Sequence, residues 1–199
     1  MPTPLAPGHL QLGPVRCAWG PYRAGDPAEP VVRDWLAGEL GHPAGALAIT
    51  RTAQGRPMLG APHADWDASW SHSGGGLLMG LAQGLRVGID LELERPRPKA
   101  LVLAERFFAP SEAAALAALP ADAREPAFVR LWCAKEAVLK AHGQGLSFGL
   151  HRLEFAPEGD GWRLAACDPA LGVPGDWSLG SFRPAPGYLA TVAWRARWR

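Results

Sequence analysis

The chain has 199 residues, 48% of them hydrophobic, and a formal net charge of +1. That is enough apolar material for one large domain or two small halves, and a near-neutral charge gives no global argument for nucleic-acid or membrane-surface binding. The three cysteines, Cys17, Cys133 and Cys167, are an odd number without metal-ligand spacing, so no disulfide framework is implied and a reducing, cytoplasmic setting is expected. No apolar run approaches the roughly 18 residues of a membrane helix. The first thirteen residues lack the basic start and apolar core of a signal peptide.

In chain order, residues 1–14 carry four prolines and two glycines and read as an irregular lead-in. A first strand is predicted over 15–19. Residues 31–40 read as a helix with Val32, Leu36 and Leu40 on one stripe and Arg33 off it, stopped by Gly41-His42-Pro43. A short strand over 47–51 precedes Gly55-Arg56-Pro57, a turn with a cation at its centre. Trp70-Ser71-His72-Ser73-Gly74-Gly75-Gly76 gathers two hydroxyls, an imidazole and three glycines. Such a segment suits close backbone approach to a phosphate, or simply a glycine-rich hairpin turn. A Ser-His nucleophile pair is disfavoured, because neighbours in an extended segment face apart.

Strands over 77–82 and 86–93 read as a hairpin turning at Gln83-Gly84-Leu85. The second contains Gly88-Ile89-Asp90-Leu91-Glu92. Strand alternation turns Ile89, Leu91 and Leu93 one way and Asp90, Glu92 and Glu94 the other. Carboxylates on one face repel unless a cation lies between them, and a hard divalent ion suits such oxygens; the alternative is a solvated polar face.

A basic, proline-stiffened link, Arg95-Pro96-Arg97-Pro98-Lys99, leads to helices over 100–107 and from Pro110-Ser111-Glu112 to about 119. A long helix over 123–142 ends at Gly143. Phe128, Leu131, Val138 and Leu139 share one sector, with Trp132 at its margin and Glu136 and Lys140 following at i+4 steps. A surface ion pair of Glu136 and Lys140 would contribute only about 0.5 kcal/mol. Lys135 falls inside the apolar sector, where a lysine must snorkel or meet an anion. Four strands are expected over 152–155, 162–166, 177–182 and 188–194. The tail 194–199 reads as a solvated end with three arginines and two tryptophans. No sequence repeat links the halves, but the order strand, helix, several strands recurs.

Five segments in order resemble the 4′-phosphopantetheinyl transferases of the larger surfactin-synthetase type. Gly88-Ile89-Asp90-Leu91-Glu92 is similar to that family's G-[IV]-D-[LIV]-E. Trp132-Cys133-Ala134-Lys135-Glu136-Ala137-Val138-Leu139-Lys140, continuing to Gly143-Gln144-Gly145-Leu146, resembles W-x-x-K-E-A-x-x-K-x-x-G-x-G-L without a break. Ser71-His72-Ser73 resembles S-H-S, Gly55-Arg56-Pro57 resembles G-[KR]-P, and Arg106-Phe107-Phe108 with Glu112 resembles R-F-F-x-x-x-E. The resemblance spans about residues 30–155. Trp70 departs from it, standing where the family often shows a smaller or polar residue.

The resemblance implies an α+β pseudo-dimer: two similar halves, 1–86 and 87–199, each a small antiparallel sheet packed with helices, with the site between them. It implies a monomer that transfers phosphopantetheine from coenzyme A to a serine of an apo carrier protein, releasing adenosine 3′,5′-bisphosphate. It further implies Mg²⁺, or Mn²⁺, held by Asp90, Glu92 and Glu136, with Lys140 on the pyrophosphate and Lys135 on phosphate or a carboxylate. Arg56, Ser71, His72 and Arg33 are implied around the 3′-phosphate. Glu136, or a metal-held water, is the implied base, with Glu112 as second candidate. Arg97, Lys99, Arg106 and the Phe107-Phe108 pair form the implied docking surface, although one of the two phenylalanines is expected in the core. Two other readings stay open: a coenzyme A- or carrier-binding module without catalysis, and a metal-dependent phosphodiesterase.

Overall fold

The structure, a computed structural model, describes residues 5–159 and 161–197. In chain order the elements are β1 (Gly8–Leu12), β2 (Val15–Pro21), α1 (Glu29–Leu40), β3 (Ile49–Arg51), β4 (Pro57–Leu59), β5 (Trp66–Ser73), β6 (Gly76–Gln83), β7 (Leu85–Leu93), α2 (Ala100–Phe107), α3 (Pro110–Ala118), α4 (Ala121–His142), β8 (Leu153–Glu158), β9 (Gly161–Cys167), β10 (Ser178–Phe182) and β11 (Tyr188–Ala196). The fold is α+β: small antiparallel sheets packed with helices.

One sheet has the order β1-β2-β6-β5 and another β10-β11-β7; β3-β4 and β8-β9 are separate pairs. The expected hairpin between β6 and β7 does not form. Both edges of β6 are already occupied by β2 and β5, and Gly76 to Ala82 are all buried. Strand β7 therefore crosses to the other sheet and pairs with β11, Asp90 opposite Thr191. The lead-in is likewise more regular than expected, because β1 pairs with β2 through Gly8 opposite Trp19.

Helix α1 buries Val32 and Leu36 against the first sheet, alongside Leu77, Met79 and Leu81. Burying a leucine completely contributes roughly 1.5–3 kcal/mol, so this short stripe suffices to hold the helix. Helix α4 is the centre of the largest core, with Phe128, Leu131, Val138 and Leu139 all buried. It lies directly on β7 at Gly88, where a Cβ would stand 2.1 Å from the Ala137 carbonyl oxygen and 2.3 Å from the Ala141 nitrogen. Only glycine permits that approach. The close contact brings the carboxylates of β7 within reach of the side chains of α4.

A second seam joins the sheets without main-chain pairing. β5 and β7 are the terminal strands of their sheets and run side by side in parallel. Asp67 Oδ2 accepts from Val87 N at 2.7 Å, Ser69 Oγ from Ile89 N at 3.2 Å and Ser73 Oγ from Leu93 N at 3.0 Å. Side chains of alternate residues of β5 thus satisfy the outward amides of β7. Ser71 departs from the series: its hydroxyl donates to Asp90 Oδ1 at 2.8 Å.

The tail is not a free solvated end. Arg195 is buried, 3.3 Å from Asp176, and Arg197 donates to the carbonyls of Ala64 and Trp66 at 2.8 Å each. Trp198 and Arg199 lie outside the described residues. Of the phenylalanine pair, Phe108 is core, stacked on Phe128 at 5.3 Å, while Phe107 is exposed. No helix among the described residues is long and apolar enough to cross a membrane.

Candidate active site

Strand β5, strand β7 and helix α4 converge on an open cleft of about 750 Å³. β7 contributes Asp90 and Glu92, α4 contributes Trp132, Glu136 and Lys140, and β5 contributes Ser71 and His72. The i+4 spacing of Trp132, Glu136 and Lys140 on α4 explains why they share one face. Tyr22, stacked on His72 at 4.6 Å, and Glu29 and Arg51 close the opposite wall.

At the floor, Lys140 Nζ lies 2.7 Å from Asp90 Oδ1 and 2.8 Å from Ser71 Oγ. Asp90 Oδ2 is buried and accepts no hydrogen bond among the described residues. A buried carboxylate oxygen left without a donor is costly, and a hard cation would satisfy it. Burial, then the neighbouring Asp90, pushes Glu136 up to about 7. The same two causes raise Glu92, opposed by Arg97 at 2.7 Å. Burial works against charge on Lys140, but Asp90 and then Glu136 oppose it, and the ammonium is held above its ordinary range. These three carboxylates therefore repel one another in a poorly solvated space, and their oxygen donors suit a divalent cation. Among the described residues, no three acidic, histidine or cysteine side chains already stand grouped for a metal. The Lys140 ammonium is the cation beside Asp90, and Arg97 is the one beside Glu92.

Several expected phosphate contacts lie elsewhere. Lys135 is fully buried, with Nζ 2.7 Å from Glu112 Oε2 and a further bond to the Leu150 carbonyl at 2.9 Å. Its anion is thus a carboxylate, and neither residue of the pair lines the cleft. Burial draws Lys135 down to about 8 and pushes Glu112 up, while their attraction opposes both shifts. Glu112 also accepts from the Ala109 and Phe155 amides at 2.8 Å each, joining α3 to β8. A carboxylate so enclosed has no path to an incoming serine. Arg33 donates to the carbonyls of Leu47, at 2.5 Å, and Ala44. Arg56 is turned inward to Asp67, Val87 and Lys140.

Arg51, which the motifs did not mark, lines the cleft instead. Its guanidinium lies 5.3 Å from the Trp70 ring centroid and 2.7 Å from Glu29 Oε2. Only a lone arginine at the end of a short strand signalled it. The spacing Asp67-x-Ser69-x-Ser71-x-Ser73 was a legible signal for the β5–β7 seam, since it places four polar side chains on one face.

The description of a 4′-phosphopantetheinyl transferase superfamily matches residues 86–192, more than half of the chain. A Synechocystis protein described as a 4′-phosphopantetheinyl transferase is 39% identical over 163 residues, covering 74% of this chain and 62% of that protein. The Nostoc transferase HetI is 34% identical, covering 82% and 67%. The Escherichia coli transferase AcpT is 35% identical, covering 71% and 67%. The matches thus span about two thirds of the length of these relatives. By the profile match and by these identities, the chain belongs to the 4′-phosphopantetheinyl transferase superfamily.

Proposed function

We propose that this protein is an enzyme of the larger surfactin-synthetase type, acting as a cytoplasmic monomer of two similar halves, 1–86 and 87–199. It transfers 4′-phosphopantetheine from coenzyme A to a serine of an apo acyl or peptidyl carrier protein. The observation that carries this reading is the convergence of Asp90, Glu92, Glu136 and Lys140 on one cleft in a member of this superfamily. The serine oxygen bonds to the phosphorus that bears pantetheine, the bond from that phosphorus to the bridging oxygen breaks, and adenosine 3′,5′-bisphosphate leaves. The serine proton passes to a base, for which Glu136 is the candidate in the cleft.

Asp90, Glu92 and Glu136 would hold Mg²⁺ or Mn²⁺, which when bound offsets negative charge on the pyrophosphate. Lys140 supplies a second positive charge from the floor, fixed by Ser71 and Asp90. Arg51, on the opposite wall, and His72, on β5, offer donors to the 3′-phosphate. Exposed Lys99, Arg106 and Phe107 suit the acidic helix of a carrier: charge steers and the aromatic ring anchors.

Intact-protein mass spectrometry of an apo carrier after incubation with this protein, coenzyme A and Mg²⁺ tests the proposal. The expected result is a gain of one phosphopantetheine, abolished by EDTA and by Glu136→Ala. Binding of coenzyme A with no product on any carrier would indicate a binding module. Cleavage of coenzyme A without carrier would indicate a phosphodiesterase.

A further inference from the structure

Arg56 and Asp67 form an ion pair that is 8% and 2% exposed, at the junction of four elements. Asp67 Oδ2 accepts the Val87 amide at 2.7 Å, and Arg56 Nη2 donates both to Asp67 Oδ2 and to the Val87 carbonyl at 3.0 Å. Both main-chain polar groups of Val87, on β7, are therefore held by this pair. Arg56 Nη1 donates to the carbonyl of Lys140, one of the last-turn carbonyls that a helix leaves without an internal partner. Gly143, with φ of 92°, gives room for the arginine stem, since a Cβ there would stand 2.9 Å from Arg56 Cδ.

The two backbone segments so joined are those that carry the floor of the cleft. Asp90 follows Val87 by three residues on β7, and Lys140 bears the ammonium 2.7 Å from Asp90 Oδ1. We propose that Arg56 and Asp67 are positioning residues: they clamp the start of β7 to the end of α4 and thereby set Asp90 against Lys140, while Arg56 makes no contact with substrate. A guanidinium can do this because its planar fork reaches three acceptors at once. The role in catalysis rests on the transferase function proposed above; the clamp itself does not.

The test uses Asp67→Asn and Arg56→Met in the full chain, with three measurements. Calorimetry compares binding of coenzyme A with that of 3′-dephospho-coenzyme A. Mass spectrometry of an apo carrier gives kcat at saturating substrates. Amide hydrogen exchange follows peptides covering 86–92 and 138–144. The expected result is a kcat at least tenfold lower, a preference for the 3′-phosphate within about twofold of wild type, and exchange at least tenfold faster in those two peptides with β1 and β2 unchanged. Asp67→Asn, the near-isosteric change, carries the test if Arg56→Met does not fold.

Loss of the 3′-phosphate preference in Arg56→Met would overturn the proposal and make Arg56 a ligand contact. Folded variants with wild-type kcat and wild-type exchange would overturn it as well. A wild-type protein that modifies no carrier would instead refute the transferase function, and the exchange measurement would still decide whether the clamp exists.

Discussion

Lys135 Nζ and Glu112 Oε2 are 2.7 Å apart, and neither side chain reaches solvent. Removing one partner of a buried pair strands the other charge and typically costs about 3–5 kcal/mol. Lys135→Met should therefore lower the urea midpoint sharply with an unchanged m-value. A double-mutant cycle with Glu112→Gln measures the coupling. A Lys135→Met protein as stable as wild type, but unable to bind coenzyme A, would return Lys135 to the substrate.

At Gly88 the backbones of β7 and α4 are in close contact. Gly88→Ala places a methyl group 2.1 Å from the Ala137 carbonyl oxygen, which is backbone and cannot rotate away. The expected cost is about 3 kcal/mol or more, the upper end of overpacking penalties, because a whole helix must shift. Thermal unfolding checks it, and an unchanged Tm would mean that α4 is not seated as described.

Glu136 stands among like charges in a poorly solvated cleft. Glu136→Gln removes that repulsion and keeps the shape. Its Tm should equal or exceed that of wild type, while carrier modification falls at least 100-fold. Such opposite effects mark a residue whose charge serves chemistry and not folding. A parallel fall in Tm and activity would make Glu136 structural.

Arg51 faces the cleft, and its bonds to Glu29 and the Gly55 carbonyl are solvent-exposed. Arg51→Gln should raise KM for coenzyme A about tenfold, equivalent to about 1.4 kcal/mol, with KM for the carrier unchanged. Steady-state kinetics with each substrate varied in turn would show this. An unchanged KM would remove Arg51 from the phosphate pocket.

His142 supplies a pH dependence of stability. Burial, then the positive charges of Arg195 and Arg56, lowers its pKa from the ordinary 6.5. The unfolded chain then binds more protons at this position, so the contribution is full above about 6.5 and is lost as pH falls below it. The drop in Tm between pH 7.5 and 5.5 should be smaller in His142→Gln than in wild type. Equal drops would place the proton uptake on other groups.

Much of the site was legible because the residues that form it are close in sequence and periodic. Asp90 and Glu92 share a strand face, and Trp132, Glu136 and Lys140 share a helix face. One motif therefore positions each set. Long-range commitments were not legible. The partners of Lys135, Arg33 and Arg56 lie on other elements, and a cation near a motif looks the same in sequence whether it points to a ligand or to a carbonyl. The expected β6–β7 hairpin does not form for a related reason: a tight glycine turn is a local signal, but whether its two strands pair depends on which neighbours already occupy their edges.

The seam of Asp67, Ser69 and Ser73 also bears on solubility. An open sheet edge offers a row of unpaired amides on which another chain can add a strand, and an isolated β7, apolar at Val87, Ile89 and Leu91, would be such a template. Here side chains cap that row, and among the described residues no hydrogen-bonded strand continues it. Cutting the chain between β6 and β7 would uncap both sheets at once. The two fragments would then be prone to aggregate, even though each retains most of its own core.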